Sequence, residues 1–331
     1  METDSPPAAP IPVLILFGPT ASGKTNLLLE LFASSDKPQA EIISADSMQV
    51  YRGMNIGTAK PSFDERNKLP HHLIDICDPP QQFNAGDFVR LADIACTEIA
   101  KRGILPVVSG GTGFYLKNFI LGLNEAPSSD KEIREQLKNE LNKKGILPLM
   151  KELSSCDPVS AGRIHINDEY RLLRALEVYR FCGRPLSSFE INTPQKRSNY
   201  RFVIIGLSCS REELYRRINL RCEEMFRSGL AEEVHALYKA GYTPDDPGLR
   251  AIGYREFFIK EVDENSGTRT KWRLSHDIDG VKALVAQNSR RYAKRQTTFF
   301  SGMPYVQWIE AINVAETIKH IKDILAESFS A

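Results

Sequence analysis

The sequence predicts an α/β fold, in which a parallel sheet carries helices on both faces and a helical insertion interrupts the sheet. Three observations support this prediction. Short apolar runs at residues 11–17, 41–46 and 104–108 alternate with helical patterns, which is typical of a parallel sheet. Residues 130–189 then contain helical patterns and loops with no strand-like run. A further apolar run at residues 202–207 returns the chain to the sheet.

These changes of pattern divide the 331 residues into three parts. Residues 1–10 are acidic and rich in proline, and they predict a disordered leader. Residues 11–126 and 200–331 form the predicted sheet-containing core. Residues 127–199 form the predicted helical insertion.

Helical periodicity places the other elements between the strands. The predicted helices cover residues 25–34, 87–102, 131–144, 148–154, 168–182, 211–240 and 281–298. Residues 261–279 are polar, and Asn265 to Thr268 predict a mobile connection. Residues 305–331 predict a short strand and a terminal helix.

Composition excludes some classes of protein. The chain has 43 basic and 42 acidic residues, so its net charge of +1 gives no global argument for nucleic acid, and any such site must be a local patch. The six cysteines form no C-x-x-C pair, which argues against structural zinc and a disulfide framework. No apolar run approaches 18 residues, and the leader lacks the basic start of a signal peptide. We therefore expect a cytoplasmic protein without a membrane segment, and nothing in the sequence demands more than a monomer.

The strand at 11–17 is followed by Gly18-Pro19-Thr20-Ala21-Ser22-Gly23-Lys24-Thr25, and a helix begins near Asn26. This arrangement is typical of a phosphate-binding P-loop. Glycines let the backbone bend so that amides point inward, Lys24 adds a charge, and the Thr25 hydroxyl can hold Mg²⁺. The alternative is a chance match in an ordinary turn between a strand and a helix. The loop indicates binding of a di- or triphosphate without saying which.

Two polar positions follow other strands of the predicted sheet. Asp46 ends the strand at 41–46, so we expect it to face the same crevice as the P-loop. Its carboxylate could act as a base, relay Mg²⁺ beside Thr25, or simply cap a loop. Thr112 lies in the turn Gly110-Gly111-Thr112-Gly113. It could bond a substrate, or the turn could merely need positive φ at its glycines.

The helix at 281–298 carries a basic stripe of Arg290, Arg291, Lys294 and Arg295, beside Tyr292. Like charges four residues apart destabilise a helix unless an anion is near. The stripe is therefore either a solvated face or a contact for nucleic acid. His71 and His72 lack a third ligand at metal spacing, which favours a hydrogen-bonding role. From the residues alone, the chain is a P-loop transferase with an unknown acceptor.

Longer motifs extend this prediction. Residues 46–61 read DSMQVYRGMNIGTAKP and residues 110–115 read GGTGFY. They are followed by RIHIND at 163–168, RLLRALEV at 171–178, AIGYR at 251–255 and RYAKRQ at 291–296. With the P-loop, these motifs resemble, in order and over nearly the whole chain, bacterial-type tRNA dimethylallyltransferase (tRNA isopentenyltransferase).

The resemblance implies transfer of a dimethylallyl group from dimethylallyl diphosphate to the N6 amine of the adenosine just 3′ of the anticodon, in tRNAs that read codons beginning with U. It implies Mg²⁺ as cofactor and an insertion that clamps the anticodon stem-loop, with the acceptor adenine flipped into a channel. Asp46 would take the proton of the amine, with Thr112 as its neighbour. The implied diphosphate ligands are Gly18, Thr20, Ala21, Ser22, Gly23, Lys24, Thr25 and Arg221. The implied tRNA contacts are Ser47, Met48, Gln49, Arg134, Asn167, Asp168, Tyr170, Arg171, Arg250, Gly253, Tyr254, Arg255, Lys294, Arg295 and Gln296.

The chain departs from its relatives at Tyr170, where they often carry Gln, and at Ser301, where they carry Arg. The resemblance therefore implies that readout of a loop base rests on stacking and that one phosphate contact is missing or moved. Three other functions stay open. They are an adenylate isopentenyltransferase that acts on free AMP or ATP, a small-molecule kinase, and an RNA-binding P-loop protein without catalysis.

Overall fold

The computed structural model describes residues 9–33, 39–123, 126–127, 130–189, 195–262, 270–311 and 313–329. Most of the predicted leader (1–8), Ser34 at the end of the first predicted helix and the predicted mobile connection therefore lie outside the described residues. The chain separates into two compact units. The core unit comprises residues 1–120 and 197–331, and the insertion unit comprises residues 121–196.

The strands are β1 Ile11–Phe17, β2 Ala40–Ser44, β3 His71–His72, β4 Leu105–Gly110, β5 Tyr200–Ser208, β6 Phe258–Val262, β7 Thr270–Leu274 and β8 Gln307–Glu310. The helices are α1 Lys24–Phe32, α2 Phe63–Lys68, α3 Ala85–Lys101, α4 Gly113–Leu121, α5 Lys131–Lys144, α6 Ile146–Cys156, α7 Pro158–Arg163, α8 Glu169–Cys182, α9 Arg211–Arg227, α10 Leu230–Lys239, α11 Ile278–Phe300 and α12 Val314–Phe329.

Six parallel strands form the main sheet, in the order β3-β2-β4-β1-β5-β8. Leu14 and Leu16 of β1 pack in one core cluster with α1 and α12, while α3 packs against β1, β2 and β4. Every residue of β1 from Val13 to Phe17 is fully buried, as expected for a strand covered on both faces. The predicted parallel sheet with helices on both faces is confirmed.

The carboxyl ends of β1, β4 and β2 lie next to one another in the sheet. Phe17 pairs with Gly110, and Ser44 pairs with Ser109. The glycine-rich loop (Gly18 to Thr25), Asp46 and the Gly110–Gly113 turn therefore leave the sheet at adjacent positions. This edge carries the site.

The structure differs from the sequence prediction at two places in the second half of the core. The single helix predicted over 211–240 is two helices, α9 and α10, because Gly229 between them adopts φ +95°. No strand was predicted in the polar stretch 261–279, yet Glu261 and Val262 end β6 and Thr270–Leu274 form β7, and these strands pair antiparallel from Phe258↔Leu274 onward. In β7, Lys271 and Arg273 alternate with Trp272 and Leu274, and a two-stranded ribbon tolerates this pattern on its exposed face.

The insertion unit is built from α5, α6, α7 and α8. Its core contains Leu137, Leu149, Leu153 and Leu176. The Arg180 guanidinium binds the carboxylates of Glu140 and Glu152 at 2.6 and 2.7 Å, and so joins α8 to α5 and α6.

Candidate functional site

The glycine-rich loop is a tight turn between β1 and α1. Gly23 adopts φ +90°, a conformation that other residues rarely take. Ala21 has φ +63° without being glycine, and such strain often accompanies ligand-binding loops. A Cβ at Gly18 would lie 2.9 Å from Ser22 Oγ and 3.0 Å from Leu207 O, so Gly18 is required for close packing.

The amides at the start of α1 are available to a ligand. No side chain caps this nine-residue helix, and the N–H groups of Gly23, Lys24 and Thr25 donate to no acceptor in the described part of the chain. Free amides and the positive end of the helix dipole together favour an anion.

Lys24 and Arg221 supply the charge at this loop. Lys24 Nζ donates to Gly18 O at 2.8 Å and Pro19 O at 2.9 Å. Burial, and secondarily the Arg221 charge, lower the pKa of Lys24 to about 7, while the Asp46 charge opposes this shift. Arg221 Nη1 donates to Thr20 Oγ1 at 3.3 Å, and burial lowers the pKa of Arg221 as well. Two desolvated cations side by side are costly, and an anion would relieve that cost.

The Thr25 hydroxyl was the expected ligand of Mg²⁺. It is exposed and bonds no other group among the described residues. Those residues contain no group of three or more His, Cys, Asp or Glu that could hold a metal. Mg²⁺ bound through one hydroxyl, waters and substrate phosphates fits this arrangement, whereas an all-protein cage does not.

Asp46 follows β2 and uses its two carboxylate oxygens differently. Oδ1 accepts N–H bonds from Met48 at 2.8 Å and Gln49 at 3.3 Å. Oδ2 has no partner among the residues that the structure describes. Asp46 thus caps its own turn, as one interpretation of the sequence held, and still offers a free oxygen as a proton acceptor.

Thr112 holds the segment beside Asp46. Its Oγ1 accepts the Ser47 N–H at 2.9 Å and lies 3.3 Å from Ser47 Oγ, while its own N–H donates to Ala45 O at 3.0 Å. The structure brings Thr112 and the Asp46 segment together, as expected.

The glycines beside Thr112 have a different role from the one expected. Gly110, Gly111 and Gly113 do not have positive φ. A Cβ would instead lie 2.2 Å from Ala45 O at Gly110, 2.5 Å from Gln296 Nε2 at Gly111 and 2.4 Å from Phe299 Cδ1 at Gly113. Close packing, rather than backbone conformation, requires glycine at these positions.

Several expected RNA contacts are buried instead. Gln296 is 5% exposed, and its amide is bonded at both ends within the core unit. Tyr254 is fully buried, with its hydroxyl donating to Glu233 Oε1 at 2.6 Å, and Gly253 beside it is buried at φ +95°. The Gln49 side chain accepts from Ser44 Oγ and donates to Thr58 O and Ala59 O. The side chains of Gln296, Tyr254 and Gln49 hold loops together. The burial of Gln296, Gly253 and Tyr254 contradicts their assignment to direct RNA contact.

Other expected contacts in the core unit are accessible. Ser47 and Met48 are half-buried, and Arg250, Arg255, Lys294 and Arg295 are exposed. On α11, the Arg295 guanidinium lies 5.7 Å from the centre of the Tyr292 ring, and Arg290 bonds Asn219 at 2.6 Å. Arg291 and Lys294 are exposed, and their side chains have no partner within the described ranges. A basic surface without counter-charges therefore runs along α11.

In the insertion unit, the predicted contacts cluster at the start of α8. Asn167, Tyr170 and Arg171 are exposed, and Tyr170 is 72% exposed. Asp168 caps α8 by accepting from the Arg171 N–H at 3.1 Å. Arg134 is mostly covered, since it bonds the buried Glu177 at 3.0 Å and lies 4.9 Å from the centre of the Tyr170 ring. Arg134 therefore packs against Tyr170, and its charge is already paired with Glu177 rather than free for RNA.

Sequence reasoning missed two residues. Arg217 lies one helical turn before Arg221 on α9, and its Nη1 is 3.9 Å from the position of a Cβ on Gly23. The spacing of four between the two arginines was the available signal. Glu233 of α10 accepts the N–H groups of Asn55 at 2.9 Å and Ile56 at 3.0 Å, and it anchors the loop that follows Asp46. No local pattern indicated this contact, because it spans almost 180 residues.

The paired histidines have hydrogen-bonding partners. His71 Nδ1 donates to Leu69 O at 2.6 Å, and His72 Nε2 lies 2.7 Å from Glu41 Oε2. All six cysteines are free. None of the described helices is long and apolar enough to cross a membrane.

Comparison with known proteins gives consistent matches along the chain. The family model of IPP transferase matches residues 49–303. The tRNA dimethylallyltransferase of Geobacter sulfurreducens is 43% identical over 298 residues, covering 90% of this chain and 91% of that protein. The tRNA dimethylallyltransferase 2 of Geotalea uraniireducens is 42% identical over 317 residues, covering 96% and 98%.

Comparison with solved structures points to the same family as the sequence relatives. The full-length tRNA isopentenylpyrophosphate transferase of Bacillus halodurans is 36% identical, with a TM-score of 0.63 over 97% of this chain and 98% of that one. A eukaryotic dimethylallyltransferase acting on tRNA superposes with a TM-score of 0.75 over 96% of this chain and 78% of that one. Its identity is 24%, so that likeness speaks for the fold alone.

Proposed function

Because the chain belongs to the IPP transferase family, we propose that it transfers a dimethylallyl group from dimethylallyl diphosphate to tRNA. The proposed acceptor is the N6 amine of the adenosine just 3′ of the anticodon, in tRNAs that read codons beginning with U. The other proposed product is diphosphate. We propose that the reaction takes place in the cytoplasm. We also propose that the protein acts as a monomer, because Lys24, Asp46 and Arg221 all belong to the core unit of one chain.

The observation that supports this proposal most directly is a free carboxylate oxygen close to a desolvated cationic loop. The Asp46 charge opposes the fall in pKa at both Lys24 and Arg221, so the three groups share one electrostatic environment. The cations suit a leaving diphosphate, and Asp46 Oδ2 suits a proton acceptor.

In the proposed reaction, the adenine nitrogen forms a bond to the allylic carbon while the bond from that carbon to the diphosphate oxygen breaks. The bonding electron pair leaves with diphosphate, which the amides of Gly23 and Lys24, the Lys24 ammonium and the Arg221 guanidinium stabilise. Asp46 Oδ2 takes the proton released by the amine. Without a base this amine is a poor nucleophile, because its lone pair is delocalised into the ring.

Mg²⁺ is the proposed cofactor, with the Thr25 hydroxyl as its protein ligand. When bound, it would neutralise part of the charge on the diphosphate. Thr25 is suited to this role because its hydroxyl is exposed and bonds no other described group.

Two surfaces support RNA as the acceptor. On the core unit, Arg291 and Lys294 offer unpaired charges to phosphates. On the insertion unit, Tyr170 is an exposed ring braced by Arg134, and aromatic side chains of this kind stack on unpaired bases. Stacking by Tyr170 is our proposal for how this chain reads a loop base without the Gln that its relatives often carry.

To test this proposal, the protein is incubated with labelled dimethylallyl diphosphate, Mg²⁺ and unmodified anticodon stem-loop RNA, and in a separate reaction with AMP in place of the RNA. We expect label on the RNA alone. Label on AMP but not on RNA would point to an adenylate isopentenyltransferase. Label on neither would favour a kinase or a binding protein, and an assay with ATP would separate those two.

A further inference from the structure

Gln296 connects the two halves of the proposed site. Its Oε1 accepts the Thr20 N–H at 2.8 Å, and its Nε2 donates to Gly111 O at 2.8 Å. The side chain is 5% exposed, so both bonds are shielded from water. Thr20 belongs to the glycine-rich loop and Gly111 to the turn before Thr112.

These two loops start from paired strands but then diverge from the sheet. β1 and β4 are in register up to Phe17 and Gly110, and beyond that point their ladder ends. Gln296, from α11, bonds both loops one to three residues past the last pair. The amide lies directly against Gly111, where a Cβ would come within 2.5 Å of Gln296 Nε2.

The bonded path continues from Gly111 to the proposed base. Thr112, next along the chain, accepts the Ser47 N–H at 2.9 Å and donates its own N–H to Ala45 O at 3.0 Å. Ala45 and Ser47 are the two neighbours of Asp46. An unbroken series of covalent and hydrogen bonds therefore runs from Thr20 through Gln296 and Thr112 to both sides of Asp46.

We propose that Gln296 is a positioning residue that fixes the diphosphate-binding loop relative to Asp46. The inference rests on the proposed function, because it concerns how the leaving group and the base are aligned. A primary amide of this length offers one acceptor and one donor to these backbone groups. Transfer requires the amine beside Asp46 to reach the allylic carbon of the bound diphosphate, and a misplacement of ~1 Å costs roughly 10²-fold in rate.

Gln296→Met tests this inference, because methionine has a similar length and helix propensity but can form neither bond. The control is Gln287→Met, on the same helix, where Gln287 is exposed and its side chain has no partner in the described part of the chain. We expect single-turnover transfer by Gln296→Met to fall by roughly 10- to 100-fold at saturating donor. Affinity for the stem-loop should stay unchanged, and Gln287→Met should behave as wild type.

Gln296→Glu tests the inference through the pH dependence of the transfer rate, which a merely structural role would leave unchanged. A protonated carboxyl group can reproduce both bonds, whereas a carboxylate repels Gly111 O. Burial beside a carbonyl raises the pKa of such a group. The ratio of Gln296→Glu to wild-type rate should therefore rise as the pH falls.

The outcomes separate the inference from the proposed function. A wild-type protein that labels no RNA would overturn both. Normal transfer by Gln296→Met, with at most a lower melting temperature, would overturn the inference alone. If the Met variant does not fold, the Glu variant decides, and a rate ratio that stays constant with pH would reject positioning.

Discussion

Replacing Asp46 by Asn separates the chemical role of this carboxylate from its structural one. The asparagine side-chain oxygen can still accept the N–H groups of Met48 and Gln49, which Oδ1 accepts at 2.8 and 3.3 Å. The turn should therefore survive. Asp46→Ala removes both bonds, at about 0.5–1.5 kcal/mol each, and we expect it to lower the free energy of unfolding by roughly 1–3 kcal/mol.

The expected loss of activity follows from general-base catalysis. Such a base contributes about 10²–10⁴-fold to the rate, which corresponds to about 3–5 kcal/mol in the activation barrier. We expect the single-turnover transfer rate of Asp46→Asn to fall by this factor, while the dissociation constant for the stem-loop changes by less than about twofold. Rapid-quench measurement with excess enzyme isolates this step from product release.

One secondary effect needs a control. The Asp46 charge raises the pKa of Lys24 against the lowering effects of burial and Arg221. Asp46→Asn should therefore lower that pKa further and weaken diphosphate binding near neutral pH. Measuring the rate at pH 6 and saturating donor restores the Lys24 charge. If Asp46→Asn then transfers within about threefold of the wild-type rate, Asp46 only caps its turn and the base has been misassigned.

Three further predictions concern the surroundings of the site. The affinity for inorganic diphosphate, measured by calorimetry, should fall as the pH rises above about 7, because Lys24, with its pKa lowered to about 7, loses its proton there. This part of the pH dependence should vanish in Lys24→Arg, and its persistence would contradict the assignment. The double variant Arg291→Ala with Lys294→Ala should reduce the slope of log affinity for the stem-loop against log salt concentration by about 0.7–0.9 per lost phosphate contact. The control double variant Lys319→Ala with Lys322→Ala on α12 should keep the wild-type slope, and equal slopes for the two double variants would remove α11 from the interface. In denaturant titrations, Glu233→Ala should lower the free energy of unfolding by about 2–3 kcal/mol, since it leaves the Tyr254 hydroxyl and the Asn55 N–H without their acceptor. The matched control is Glu232→Ala, which changes the exposed neighbouring residue.

The sheet and its functional edge were predictable from sequence, because strong local signals specify them. Residues 11–17 form an uninterrupted apolar run, and β1 has these same bounds. Asp46 was placed correctly because parallel strands deliver their carboxyl ends to one edge. The α5 helix was also predicted with its observed bounds, since Asp130 caps it and Gly145 ends it.

What sequence could not supply was the direction in which motif residues point. Gln296 lies three residues after the buried Ala293 and four before the buried Phe300, so its position on the inner stripe of α11 was a usable signal. Its polarity and the basic residues beside it instead suggested a surface contact. Tyr254 is buried by contacts with Gly57 and Glu233, which are distant in sequence and leave no local pattern. The break at Gly229 was missed because a single glycine is tolerated within many helices.

Locating the modified nucleoside tests the central claim most directly. Anticodon stem-loop RNA is incubated with the protein, Mg²⁺ and dimethylallyl diphosphate, then digested and sequenced by mass spectrometry. A second RNA carries guanosine in place of the adenosine 3′ of the anticodon. We expect the mass of one dimethylallyl group on that adenosine in the first RNA and none in the second. The same mass at another nucleotide, or in both RNAs, would contradict the account.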